Sequence, residues 1–130
     1  MAIEYVRFQA AAPDERGHFK GVFGLVNNLA RSGQLSVEQE RVRREGNAWY
    51  DAAYPDPSRV DPGVYDPNVN PGAAAWFKVS ATHLIERVAG YLEILDAHGV
   101  DCREVRSSAP PGRVVYEDDM QVVVVPATNA

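Results

Sequence analysis

The chain is short of several things at once, and each shortage excludes something. One cysteine, Cys102, stands among 130 residues, so no internal disulfide and no multi-thiolate zinc site can form. No stretch approaches the roughly 18 apolar residues of a membrane span. The opening MAIEYVRFQAAAPDERG has no apolar signal core. A soluble, cytoplasmic protein without a membrane partner is expected. Positive charge is scarce: the formal net charge is −5, whereas duplex binders present a basic patch, so no nucleic-acid partner is expected. Lysine is nearly missing, with eleven Arg and two Lys (Lys20 and Lys78) making up the 13 basic residues. There is no Gly-x-Gly-x-x-Gly, phosphate loop, nucleophile elbow or His-Glu-x-x-His. No cofactor and no metal are expected.

What is present is an ordinary globular composition. Hydrophobic residues make up 45% and charged residues 24%, which suits one domain over 1–130 with a core of its own. A chain of this length buries about two-thirds of its unfolded surface.

Periodicity then divides the chain. Residues 3–8, IEYVRF, alternate as a strand does. Phe19, Val22, Phe23, Val26 and Leu29 form a helical stripe that stops at Ser32-Gly33. Ser36 and Gln39 have capping-box spacing and start a second helix reaching Ala53, with acidic Glu38 and Glu40 in its first turn. Its apolar face is thin, and Trp49 is the expected anchor. Residues 75–79 read as a strand, with a helix start as the other reading. Leu84, Ile85, Val88, Tyr91, Leu92 and Leu95 predict one amphipathic helix over 82–98. Residues 100–106 read as a strand, and 113–116 with 121–125 as a hairpin. The four valines 122–125 are apolar on both faces, which predicts a central strand. The expected class is α+β, three helices on a mixed or antiparallel sheet, in the order β-α-α-loop-β-α-β-β-β.

Between helix two and the next strand lies YPDPSRVDPGVYDPNVNPG, residues 54–72. It holds five prolines, and its Asp-Pro pairs recur at Asp56, Asp61 and Asp66. No helix or central strand survives that loss of backbone donors. The acidic spacing does not match a calcium loop. Tyr54, Val60, Val64, Tyr65 and Val69 supply apolar anchors, which a flexible linker would lack. The segment therefore reads as a semi-rigid wrap or lid over a sheet edge or the mouth of a pocket.

Three stretches could carry chemistry. In WFKVSATH, Trp76, Lys78 and Ser80 share a strand face; bulky neighbours would desolvate Lys78, lower its pKa and suit it to an anion or to proton transfer. His83 falls in the first turn of the following helix, in reach of acid–base work. In VVYEDDMQVVVV, Glu117, Asp118 and Asp119 cluster at a turn. The outline of residues 114–125 is similar to an acidic strand turn of the RluA-type pseudouridine synthases. That family's Arg-Leu-Asp catalytic motif is missing, and no membership follows. Cys102 next to Arg103 reads as a small core thiol.

No nucleophile–base pair is evident. The leading expectation is a non-catalytic domain that binds a protein or small molecule through Trp49, Tyr54, Tyr65, Trp76, Tyr116 and Asp118, with self-association into a homodimer through a sheet edge as a further expectation. The alternative is a small enzyme acting on an anionic or polar small molecule. Its pocket would lie between the 54–72 loop, Lys78, His83 and the 116–119 turn. Lys78 would hold an anionic group, and His83 or Glu117 would move a proton.

Overall fold

A computed structural model describes residues 2–126. Its centre is a five-stranded sheet with the order β3-β1-β2-β5-β4 and only antiparallel pairings. The strands are β1 (Tyr5–Ala10), β2 (Ala74–Lys78), β3 (Cys102–Ser107), β4 (Arg113–Glu117) and β5 (Gln121–Val125). The α+β class therefore holds, and of the two sheet types expected, the antiparallel one is present. Residues 74–78 are strand rather than helix.

Helices pack on the face that carries Val6, Phe8 and Phe77. Helix α1 (Val22–Arg31) buries Val22, Val26 and Leu29 at i, i+4 and i+7. It begins three residues later than the stripe implied, leaving Phe19 41% exposed. Helix α2 (Val37–Ala53) has the expected reciprocal capping box between Ser36 and Gln39. Its outer face is laced by Glu38–Arg41, Arg41–Glu45 and Glu40–Arg44 pairs, each worth only about 0.3–0.5 kcal/mol when exposed. Its inner face has no room at Gly46, where an added Cβ would stand 2.6 Å from the Tyr91 hydroxyl.

Two expectations about the helices change. Trp49 is only half-buried, and the anchor of α2 is Tyr50, 5% exposed. The Tyr50 ring meets Phe23, Trp49, Tyr54 and Tyr91 at centroid distances of 4.8 to 6.3 Å. The predicted helix 82–98 is also broken, into α4 (Thr82–Glu86) and α5 (Val88–Ala97), with Arg87 between. The break has a visible partner: the Tyr50 hydroxyl donates to the Leu84 carbonyl at 2.5 Å. That carbonyl is the acceptor an unbroken helix would offer to the Val88 N–H. Arg87 then lies over the Trp49 ring at 4.2 Å. Hydrophobic burial dominates this layer. Val26, Leu84, Val88 and Leu95 are essentially inaccessible, and each such side chain contributes about 1.5–3 kcal/mol.

The proline segment is ordered by its own aspartates. Asp56 accepts from Ser58 N, Asp61 from Gly63 N, and Asp66 from Asn68 N, at 2.9 to 3.1 Å. Each Asp-Pro-x triplet is thus the same turn, with the aspartate replacing a backbone acceptor two residues on. The first triplet caps a single-turn helix, α3 (Pro57–Val60). Asn70, 7% exposed, closes the segment by donating to the Gly63 and Val64 carbonyls at 3.0 and 3.1 Å. Val64, with no exposed surface, is its internal core. The wrap is fixed to the sheet where Gln121 donates to the Pro55 carbonyl and Arg113 to Asn70.

Both sheet edges resist further pairing. β3 presents Arg103, Glu104 and Arg106; β4 presents Arg113 and Glu117 and has a register break between Val114 and Tyr116. Charges and bulges on edges blunt strand addition, which counts against a dimer formed through an edge.

Candidate functional site

The wrap, the end of α2 and the 116–121 turn converge on one polar niche. Tyr54 ends α2 and lays its ring 5.3 Å from Phe77. Phe77 pairs with Val6 on one side and Gln121 on the other. Burial drives the Tyr54 phenol far above its usual value, and the charges of Tyr65, Asp118 and Arg7 bear on it as well. Tyr65 comes from the wrap. The residue is 42% exposed, and desolvation pushes its phenol up to about 12. The positive charge of Arg7 lowers it, and Asp56, Tyr116 and Asp118 raise it further. Of the six expected binding residues, Tyr116 and Asp118 are hydrogen-bonded at 2.8 Å, and Tyr54 lies beside them through Phe77, the strand partner of Gln121; Tyr65 belongs to the wrap. Trp49 lies under Arg87 between α2 and α4, and Trp76 lies on the sheet away from the helices.

Arg7 is the residue that the sequence did not mark. β1 pairs with β2 only at Tyr5–Lys78 and Val6–Phe77; further on, Gln9 bridges Gly21 instead. The half-buried Arg7 side chain fills that parting. It donates to Gln9 Oε1 at 2.9 Å, to the Ala75 carbonyl at 2.9 Å and to the Phe19 carbonyl at 3.0 Å. Gly21 leaves space for it, since an added Cβ would stand 3.1 Å from the guanidinium. Burial lowers its pKa, and among the described residues no carboxylate pairs with it. The signal available in the sequence was a lone arginine inside an alternating strand, which also fits a solvated strand face.

The 116–121 turn is saturated. Asp118 Oδ1 accepts from Met120 N and Gln121 N; Oδ2 accepts from Tyr116 Oη at 2.8 Å and Gln121 Nε2 at 3.0 Å. Burial alone would raise this carboxyl, but those four bonds outweigh it, and its pKa falls below the usual value. A depressed folded-state pKa stabilises above the unfolded value of about 3.9 and is lost as pH falls through the folded value. The turn should therefore hold at neutral pH and loosen below about pH 4. Asp118→Asn should flatten that acid limb of a stability–pH curve measured by chemical denaturation; an unchanged limb would contradict the assignment. Gln121, 1% exposed, keeps one need unmet. Its Nε2 faces two acceptors, Pro55 O and Asp118 Oδ2, which fixes the amide orientation. Its Oε1 is buried with no partner among the described residues.

The expected acid–base group comes together only in part. Lys78 Nζ and Glu117 Oε2 lie 2.7 Å apart, with side chains 25% and 50% exposed. The Glu117 hydrogen bond raises the Lys78 pKa, which reverses the lowering expected from desolvation. His83 instead faces Trp49, with centroids 6.3 Å apart, and bonds neither Lys78 nor Glu117. Cys102 is half-buried on the core, and desolvation raises its thiol, which leaves little thiolate for nucleophilic work.

Two open surface grooves lie elsewhere. One, of about 580 Å³, runs between α1 and α2 past Asn27, Arg31, Arg43 and Arg44. The other, of about 480 Å³, lies between the end of α5 and β3. Neither takes in Lys78, Glu117 or the tyrosine niche. No protein-family model, curated protein or solved structure matches the chain.

Proposed function

We propose that this chain is a non-catalytic ligand-binding domain whose site is the niche beneath the wrap. One observation carries the reading: polar groups gather there with their capacity unspent. The Tyr54 and Tyr65 hydroxyls have no hydrogen-bond partner among the described residues, and neither does Gln121 Oε1. Protein interiors satisfy a buried acceptor such as Gln121 Oε1 almost everywhere else. Rigid aromatic walls with a few convergent polar groups are the usual make-up of a ligand site.

The enzyme reading has one observation in its favour, the 2.7 Å contact between Lys78 and Glu117. A raised pKa keeps Lys78 cationic at neutral pH, and the pair borders neither groove. Fixed charge pairing rather than proton transfer is the chemistry that follows.

Native mass spectrometry of gently purified protein tests the proposal. A mass above the 14.3 kDa chain, lost on denaturation and reduced by Tyr54→Phe, is the expected result. An added mass that Tyr54→Phe leaves untouched would place the ligand elsewhere.

A further inference from the structure

We infer that the groove between α1 and α2 is a second binding site, separate from the niche, and that it takes a small doubly charged oxyanion, a dicarboxylate or a phosphate monoester. The groove, of about 580 Å³, has arginines on both sides: Arg31 from α1, and Arg43 and Arg44 from α2. Among the described residues, Glu40 is the only carboxylate in its lining. Three guanidinium groups against one carboxylate leave two positive charges unbalanced in the groove, on a chain whose net charge is −5. The neighbouring acids of α2 do not redress this, because Glu38 and Glu45 both pair with Arg41, outside the groove. A cleft lined by one sign of charge concentrates ligands of the other sign, and this volume is in the range of small-molecule sites.

One continuous chain of hydrogen bonds holds the lining in place. Tyr91 Oη donates to Asn47 Oδ1 at 2.7 Å, and Asn47 Nδ2 to Asn27 Oδ1 at 3.3 Å. Arg43 donates to that same Asn27 oxygen at 3.1 Å and, from Nε, to Glu40 at 3.0 Å. Arg44 Nε donates to Glu40 at 2.9 Å. The Arg43 hydrogen bond, with help from Arg44, holds the Glu40 carboxyl at about 2, so near neutral pH it stays charged and keeps both arginines oriented. Donors remain over. A guanidinium has five N–H groups; Arg43 uses three of them on Glu40 and Asn27, Arg44 one on Glu40 and Arg31 one on Asn28. Asn27 is engaged through its oxygen by Arg43 and Asn47, which leaves its Nδ2 as a further donor. Arginine forks match carboxylate and phosphate oxygens two at a time. The carbonyl end of α1 offers little opposition, since its last carbonyls accept from the Ser32, Gly33 and Gln34 N–H groups.

Calorimetric titration at about pH 7.5 and fixed ionic strength tests this with succinate, methyl phosphate, acetate and neutral ethylene glycol; at that pH a phosphate monoester carries close to two charges. The expected order puts succinate or methyl phosphate first, acetate several-fold weaker and ethylene glycol undetectable. Succinate ahead of methyl phosphate marks a dicarboxylate ligand, and the reverse a phosphate ligand. Arg44→Gln should weaken the best probe by about 3- to 10-fold, between the effect of an exposed ion pair and that of a hydrogen bond to a charged group. It should leave the melting temperature in place, because the Arg44 side chain is 75% exposed. Arg44→Lys, which keeps the charge, should recover part of the loss. Arg43→Gln should weaken binding further; the Arg44 variants keep the test valid even if that substitution loosens the hydrogen-bond chain. Tyr54→Phe should change nothing, which separates this site from the niche. Acetate bound as tightly as both dianions would overturn the inference, as would anion binding indifferent to Arg43→Gln and Arg44→Gln. Anion binding lost in Tyr54→Phe but intact in Arg44→Gln would move the anion to the niche and overturn it too. No binding by any probe would do the same while leaving the niche untouched.

Discussion

Tyr50→Ala should destabilise the fold by roughly 3–5 kcal/mol, the usual cost of deleting a buried aromatic side chain. Three losses combine at this position. The ring leaves a void among Phe23, Trp49, Tyr54 and Tyr91. The Leu84 carbonyl loses its buried donor. Tyr54, which walls the niche, loses its neighbour. Urea denaturation of Tyr50→Ala, Tyr50→Phe and Trp49→Ala separates these contributions. Tyr50→Phe removes the hydroxyl alone and should cost about 1 kcal/mol. Trp49→Ala should cost less than Tyr50→Ala, because Trp49 stays half-exposed beneath Arg87. The opposite order would mean that α2 docks through the tryptophan after all.

Gly112→Ala should be nearly as damaging, by about 3 kcal/mol, through backbone collision and strain rather than a cavity. Gly112 has φ near +155°, and an added Cβ would stand 2.3 Å from the Val125 carbonyl oxygen and 2.9 Å from its carbon. Both obstacles are backbone, in the strand that pairs Arg113 with Val125. Relief requires opening the far end of the β4–β5 hairpin. Gly99→Ala is the control: its φ is also positive, at +67°, but nothing lies within 4 Å of the added Cβ. It should cost only about 1–2 kcal/mol. Thermal melts that rank Gly99→Ala as the worse substitution would contradict the packing described for the hairpin.

The sequence showed the elements well and the tertiary partners poorly, for physical reasons. Periodicity and capping are local, so the stripe of α1, the Ser36–Gln39 box and the VVVV core strand could be read directly. The break at Arg87 could not, because it coincides with a hydrogen bond from Tyr50, 34 positions upstream of Leu84. Trp49 and Tyr50 are adjacent residues, and the rotation of α2 about its own axis against its packing partners decides which one turns inward. The Asp-Pro repeat was legible as turns, since Asp before Pro acts on its own neighbours. Tyr54, Tyr65, Tyr116 and Asp118 were singled out because aromatics on a wrap and acids at a turn are conspicuous. Arg7 was missed because its hydrogen bonds depend on where β1 parts from β2, a non-local event. Lys78 was misjudged for the same reason: its pKa follows from Glu117 on another strand, not from its neighbours in sequence.

The most direct test of the niche is amide chemical-shift mapping by nuclear magnetic resonance while a library of small polar and anionic fragments is titrated into the protein. Binding at the niche predicts that the hits move amides in 54–72 and 116–121 together with Arg7, and that Tyr54→Phe removes the response. Hits that move only amides of the α1–α2 groove, around Arg31 and Arg43, with the wrap unaffected, would contradict it.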